Sequence, residues 1–423
     1  MVYYSEGSSE KVFTKSELKE ALHQAFKKIG PRKRVLIIPP DITRFHSRAG
    51  EITEIAYNYY GDAVKAIMPA LGTHVPMTTA EIKKMFGTVP TELFRDHDWR
   101  NDVVSLGEIP AETLERVSEG KVSYSWPVQV NKLLLEGDFD LMLSIGQVVP
   151  HEVVGMANYT KNIFVGTGGQ DGINKSHYLG AAYGMERIMG RADNPVRYVL
   201  DEAYNQFGND LPIVFIQTVV GTEPSGELAM KGLYVSEDRT AFEQASDLAL
   251  KVNFTMLDKP LKTVVVYLDP EEFRSTWLGN KSIYRTRMAL ADGGHLIVLA
   301  PGVSTFGEDS EIDKLIRKYG YKGTEKVLAD VEAQDDLKQN LSAAAHLIHG
   351  SSDGRFSITY CPGGLSREEV EAAGYEYGDI EAMMKLYKPQ EKQDGYYQVD
   401  GKEVYFIVNP ALGLWACRDR FNA

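Results

Sequence analysis

The stretch "DFDLMLSIG" (138–146), continued by "HEVVGMANYTK" (151–161), decides the fold. Its first half alternates and then accumulates apolar residues, as a buried strand does. The second half turns, presents His151 and reaches Lys161 ten residues later. His177 follows after sixteen more, beyond the glycine-rich "FVGTGGQDG" (164–172). A buried strand that feeds a loop of chemistry-bearing side chains is the pattern of an open α/β sheet, in which ligands bind beyond the carboxyl ends of the strands.

Working outward, similar apolar, β-branched runs recur: "RVLIIPP" (34–40), "KAIMPAL" (65–71), "PIVFIQTVV" (212–220), "TVVVYLD" (263–269), "HLIVLAP" (295–301), "FSITYCP" (356–362) and "VYFIVNP" (404–410). Between them lie segments of helical period, including "SELKEALHQAFKKIG" (16–30), "TTAEIKKMFG" (78–87), "RTAFEQASDLALKVN" (239–253) and "LKQNLSAAAHLIHG" (337–350). Strands alternating with helices predict mainly parallel sheets covered by helices. A chain of 423 residues exceeds one ordinary core, so two α/β domains are expected. The polar, proline-bearing "TMLDKPLK" (255–262) is the natural boundary, giving a first domain over 1–258 and a second over 263–402. The segment 388–403 reads as a surface hairpin.

Composition narrows the function. With 43% hydrophobic and 25% charged residues the chain has the balance of a soluble globular protein. A net charge of −13 argues against a nucleic-acid partner held by phosphate neutralisation. Cys361 and Cys417 have no CxxC spacing, so neither a disulfide framework nor a zinc knuckle is expected. The N-terminus lacks the pattern of a secretory signal, and no window approaches the about 20 apolar residues that cross a bilayer. The expectation is a cytoplasmic protein with no membrane partner.

Three strand ends carry unusual residues. After 34–40 come Asp41, Arg44 and His46; the arginine can clamp a carboxylate with paired hydrogen bonds, or Asp41 and Arg44 can simply tie the loop together. After 65–71 comes His74, ahead of a helix that Thr78 and Glu81 cap as a capping box, a placement suited to proton transfer near neutral pH and equally to a structural role. After 140–146 come His151, Lys161 and His177, bracketing "GTGG" (166–169), whose glycines would let backbone approach an anion. That run lacks the spacing of a phosphate loop, and the two histidines lack the short spacing of a metal motif.

Taken together, "DITR" (41–44), "GTHVP" (72–76) and the His151–Lys161–His177 intervals resemble the nickel-dependent lactate racemase family, whose members read D-H-T-R, G-F-H-R-P and H…K…H. The resemblance runs from about residue 34 to "VNPALGLWA" (408–416). It implies a racemase or 2-epimerase of a 2-hydroxy acid that works by hydride transfer. The implied cofactor is a nickel-pincer nucleotide, pyridinium-3,5-bisthiocarboxylic acid mononucleotide, joined to Lys161 by a thioamide. His177 would ligate nickel, and His74 and His151 would be the paired acid/base. Arg44 would hold the substrate carboxylate, and Asp41 would contact the cofactor. In the second domain "WLGNKSIYRTRMALADGG" (277–294) places Lys281 on a second carboxylate-binding lysine and Trp277 on an aromatic near the cofactor. The active site is expected in the cleft between the domains, with 403–423 returning to the first domain. Partners implied are the small acid and the proteins that make the cofactor and load nickel.

Two departures concern the substrate. Leu278 stands where the family has a glutamine, and Asn340 falls near the position of a ring-side tryptophan. Asn340, with His346 and His46, suggests hydrogen-bonding room for a sugar acid (an aldonate), while Leu278 would equally suit an apolar tail and lactate stays open. The chemistry suits the residues. The C2 hydrogen beside a carboxylate is very weakly acidic, whereas its removal as hydride, with a base taking the hydroxyl proton, gives a planar keto acid that can be refilled from either face. Two other classes fit the same residues: a hydrolase with His74, His151 and His177 around a metal, and a non-enzymatic anion- or nickel-binding protein.

Overall fold

The computed structural model describes residues 1–223, 225–411 and 413–422. It divides into two compact units, one of residues 1–179 and 187–253, the other of 180–186 and 254–423. Each carries a six-stranded sheet.

The first unit is built on strands β1 (Val2–Gly7), β2 (Val35–Ile38), β3 (Val64–Ile67), β4 (Leu141–Gln147), β5 (Ile213–Thr222) and β6 (Leu228–Ser236), in the order β1-β6-β5-β4-β2-β3. The four from β5 to β3 are parallel, while β6 and β1 close the far edge antiparallel. β2 and β4 are buried at every position, which is why they read as unbroken apolar runs. Their side chains, among them Ile37, Leu143 and Ile145, pack against Leu18, Leu22 and Phe26 of the helix Lys15–Ile29. That helix begins where Thr14 and Glu17 form a reciprocal capping box and ends at Gly30, in a left-handed φ of 85°. β1 is mostly exposed and short, and its alternation is too brief to mark it as a strand.

The second unit is built on β7 (Leu261–Tyr267), β8 (Leu290–Ala300), β9 (Phe356–Pro362), β10 (Glu376–Tyr377), β11 (Gly395–Val399) and β12 (Lys402–Ile407), in the order β10-β9-β8-β7-β12-β11. All pairs are parallel except the hairpin β11–β12. Residues 402–407 lie in the second unit, whereas Leu414–Cys417 pairs with a segment inside the expected first domain of 1–258. β12 finds its parallel partner in β7, burying Phe406 and Ile407, and the segment paired with Leu414–Cys417 is Phe254–Leu257 of the same unit. Among the described residues no helix is long and apolar enough to cross a membrane.

Candidate active site

β4, β2 and β3 are neighbours and point the same way, so the three strand ends carrying the unusual residues lie side by side in the first unit. Beyond β2 the chain enters a short 3-10 turn, Ile42–Ser47, capped by Asp41. One Asp41 oxygen accepts from Thr43 N at 3.0 Å and from the Thr43 hydroxyl; the other accepts from His74 Nδ1 at 2.6 Å. Burial would raise the Asp41 carboxyl, but the hydrogen bonds from His74 and Thr43 and the nearby Arg44 charge outweigh it and hold it below the usual carboxylate range. The choice between an Asp41–Arg44 tie and a free clamp therefore has a third answer. Asp41 is committed to His74, and Arg44 is exposed, with one long contact of 3.5 Å to the Thr43 carbonyl.

The Asp41 partnership fixes the His74 tautomer. Nδ1–H donates to the carboxylate, and Nε2 is left with its lone pair on an imidazole that is 54% exposed. The loop behind it is tied by Gly72 N to the carbonyl of Gly166 at 2.8 Å, linking the His74 and Lys161 segments.

Beyond β4, His151 sits in a two-residue hairpin with Gly155–Met156. Gly155 has a φ of 74° and no room for a Cβ, which would lie 1.9 Å from the Arg191 carbonyl. His151 Nδ1 accepts from Val153 N at 3.1 Å and lies 3.8 Å from a Glu152 oxygen. Each of the two expected acid/base histidines thus has a carboxylate on its Nδ1 side. Glu152 is part of the site and carried no motif in the sequence.

Lys161 opens the short helix Thr160–Phe164. Its neighbour Asn162 anchors the helix, donating to Ser144 Oγ at 2.9 Å and to the Ile38 carbonyl at 3.3 Å. Burial foremost, then the Arg44 and Arg197 charges, against the opposing pull of Glu152, push the Lys161 ammonium down to about 8. Lys175 is different: it is spent on Asp171 at 3.0 Å and the Ser125 carbonyl at 3.1 Å.

"GTGG" is a packing device, not an open cradle. A Cβ on Gly166 would stand 2.4 Å from the Asn162 carbonyl, and one on Gly168 2.0 Å from that of Phe164. His97, fully buried, holds this turn. Its Nε2–H donates to the Gly168 carbonyl at 2.9 Å, and its Nδ1 accepts from Asn131 at 3.0 Å.

His177 lies on the helix Gln170–Tyr183. Its Nδ1–H donates to the Ile173 carbonyl at 2.7 Å, which leaves Nε2 as the donor atom for a metal. Burial and the Lys161 charge keep the ring below the ordinary histidine range, hence neutral at pH 7. Among the described residues no three His, Cys, Asp or Glu side chains are grouped to hold a metal ion. One prepared histidine and one depressed lysine fit a cofactor that brings its own sulfur donors, and do not fit a metal held by His74, His151 and His177 together.

In the second unit Trp277 and Lys281 sit on two consecutive short helices, Thr276–Gly279 and Lys281–Tyr284. Lys281 Nζ lies 5.6 Å from the Phe273 ring centroid. The Trp277 ring packs on His346 with centroids 4.5 Å apart. Two residues credited with substrate contact are otherwise engaged. His346 is buried, with Nε2 accepting from the Tyr321 hydroxyl at 2.9 Å, and the Asn340 side chain caps its own helix through Ala343 N at 3.1 Å. The resemblance placed both near the site, but capping and core packing claim their polar atoms.

Comparison with known proteins completes the site. Residues 8–187 match the lactate racemase N-terminal domain, the segment that holds Asp41, Arg44, His74, His151, Lys161 and His177. No curated protein matches the sequence. Among solved structures, a Thermotoga maritima protein superposes with a TM-score of 0.80 at 24% identity, covering 96% of this chain and 99% of its own. The lactate racemase apoprotein of Thermoanaerobacterium thermosaccharolyticum gives 0.70 at 17% identity, covering 97% and 94%. The fold is shared along the whole length, and over residues 8–187 the chain is similar to the lactate racemase N-terminal domain.

Proposed function

We propose, from the premise of a lactate racemase-type N-terminal domain, that this protein is an isomerase that interconverts the configurations at C2 of a 2-hydroxy acid. The observation that carries the reading is the placement, on three adjacent parallel strand ends, of an Asp41-oriented His74, a second histidine and a poised lysine. Lys161 is the residue that would hold the nickel-pincer nucleotide as a thioamide, and His177 Nε2 would complete the nickel coordination. When bound, that group supplies the electron sink that accepts and returns the C2 hydrogen with its electron pair, chemistry no side chain provides.

The chain's own residues do the rest. Arg44 binds the substrate carboxylate, and Lys281 is assigned as the second cation on the resemblance alone. His74 Nε2 takes the hydroxyl proton from one enantiomer while Asp41 stabilises the imidazolium that forms. His151 is assigned the matching role for the other enantiomer on the resemblance, its ring held differently, with Nδ1 accepting from Val153 N and Glu152 3.8 Å away. The aldonate preference rests on Thr43 and His46, both exposed beside Arg44, and no longer on Asn340 or His346. Cofactor-making and nickel-loading proteins are the partners this reading requires, and the compartment is the cytoplasm.

The test is expression in a host that makes the pincer, followed by turnover of lactate, malate, phenyl-lactate and aldonates. Interconversion of C2 epimers or enantiomers is expected. Hydrolytic release from esters or amides, with no isomerisation, would support the metal-hydrolase alternative instead.

A further inference from the structure

Two consecutive residues just before Lys161 adopt left-handed backbone without being glycine. Asn158 has φ 69°, and Tyr159 has φ 57° with ψ −133°. Each such residue is strained and persists only where its surroundings impose it. Here the imposing group is Arg197, on the helix Pro195–Ala203 and fully buried. One guanidinium nitrogen donates to the carbonyls of Met156 at 2.6 Å and Asn158 at 3.2 Å; the other donates to Thr160 Oγ1 at 2.7 Å. The Thr160 hydroxyl passes its own proton to Asp201 at 2.6 Å, and the second Asp201 oxygen accepts from Arg239 at 2.8 Å. The guanidinium stacks over Phe242, 4.4 Å from its centroid. From the sheet side, the Asn158 amide donates to the Gly146 carbonyl at 2.7 Å; a Cβ at Gly146 would press on that amide at 3.2 Å.

We infer that Arg197 is the positioning residue for Lys161: with Thr160 and Asp201 it clamps the strained Asn158–Tyr159 turn from which the lysine is presented. The inference rests on the reading of Lys161 as the attachment site. A fully buried arginine is a poor way to gain stability, because apolar residues of similar volume commonly serve better. Its fork, however, reaches three acceptors spread over residues 156–160, which a single ammonium cannot do. The same charge adds to burial and the Arg44 charge in disfavouring protonation of Lys161.

The test uses unloaded protein and cyanate, a probe small enough for a partly buried amine and reactive only with its neutral form. Peptide mass spectrometry gives the carbamylation rate of Lys161 relative to Lys19, which is exposed on the first helix. Wild-type protein is expected to modify Lys161 faster than Lys19. Thr160→Val, which removes the bridging hydroxyl at nearly constant volume, and Arg197→Lys, which keeps the charge but loses the fork, should each lower the ratio about tenfold by releasing the turn that holds the amine in its buried setting, the effect of one unit in the amine's pKa. Thr160→Ser should restore it. If Arg197→Lys does not fold, Thr160→Val and Thr160→Ser decide the matter. Folded Thr160→Val with a wild-type ratio, or a wild-type Lys161 no faster than Lys19, would overturn the inference. Failure of the racemase reading would leave this ratio unchanged, since no cofactor takes part in the measurement.

Discussion

Asp41 Oδ2 lies 2.6 Å from Nδ1 of His74, across 33 residues of sequence, and this one contact settles which nitrogen of His74 faces outward as a base. A hydrogen bond to a charged partner contributes about 1.5–3 kcal/mol. Asp41→Asn should therefore slow turnover by about 10- to 100-fold with little change in KM, because the imidazolium loses its charged partner. Steady-state kinetics would show this, and an unchanged kcat would detach Asp41 from the proton transfer.

The same carboxyl gives a stability prediction. Its folded pKa is lowered, so its contribution is present above the unfolded value of about 3.9 and disappears as pH falls through the lower folded value. Thermal melts from pH 5 to pH 2 should lose less stability in Asp41→Asn than in wild type.

His346 also shifts stability on the acidic side, over a higher pH range. Burial, and then the neighbouring His349, push it from 6.5 down to about 3. The unfolded chain binds a proton first as pH falls below 6.5, so folding weakens continuously from there to about pH 3. At pH 4.5 the loss from this group is about 2–3 kcal/mol. His346→Gln, which stays neutral, should flatten the decline of Tm between pH 7 and 4; a wild-type slope in that variant would show that His346 is not held neutral.

Replacing His74 or His151 by alanine should cost about 10²–10⁴ in kcat, the usual worth of general acid–base catalysis, while bound nickel stays. If both variants kept normal rates in both directions, the histidines would be structural.

Lys161→Ala and His177→Ala separate attachment from coordination. In a pincer-making host the first should carry no adduct and the second should keep the adduct while losing nickel. Intact mass and metal content read both. An unmodified Lys161 in an active preparation would remove the pincer reading.

How much of this was legible in the sequence follows from the range of each interaction. β2, β4 and β5 announce themselves because they are buried on both faces, and the capping boxes of Thr14 and Thr78 are local patterns. His74, His151, Lys161 and His177 were visible as chemistry at strand ends. What ties them was not: Asp41–His74, Arg197–Thr160 and His97–Gly168 each depend on which distant segments the sheet brings together. The same limit misled the reading of "GTGG", where close packing and anion binding both call for glycine, and of Asn340 and His346, whose polar atoms serve a helix cap and a buried tyrosine. The partner of β12 was not legible either, because that strand carries no signal that it pairs with β7.

The central claim is that the C2 hydrogen leaves and returns as hydride without meeting solvent, and one measurement addresses it directly. Protein loaded with the pincer nucleotide is given its preferred 2-hydroxy acid deuterated at C2, in ordinary water, and the inverted product is examined by mass spectrometry. The account predicts product that keeps the deuterium at C2. Inverted product carrying solvent hydrogen there would mean deprotonation at carbon and would contradict it.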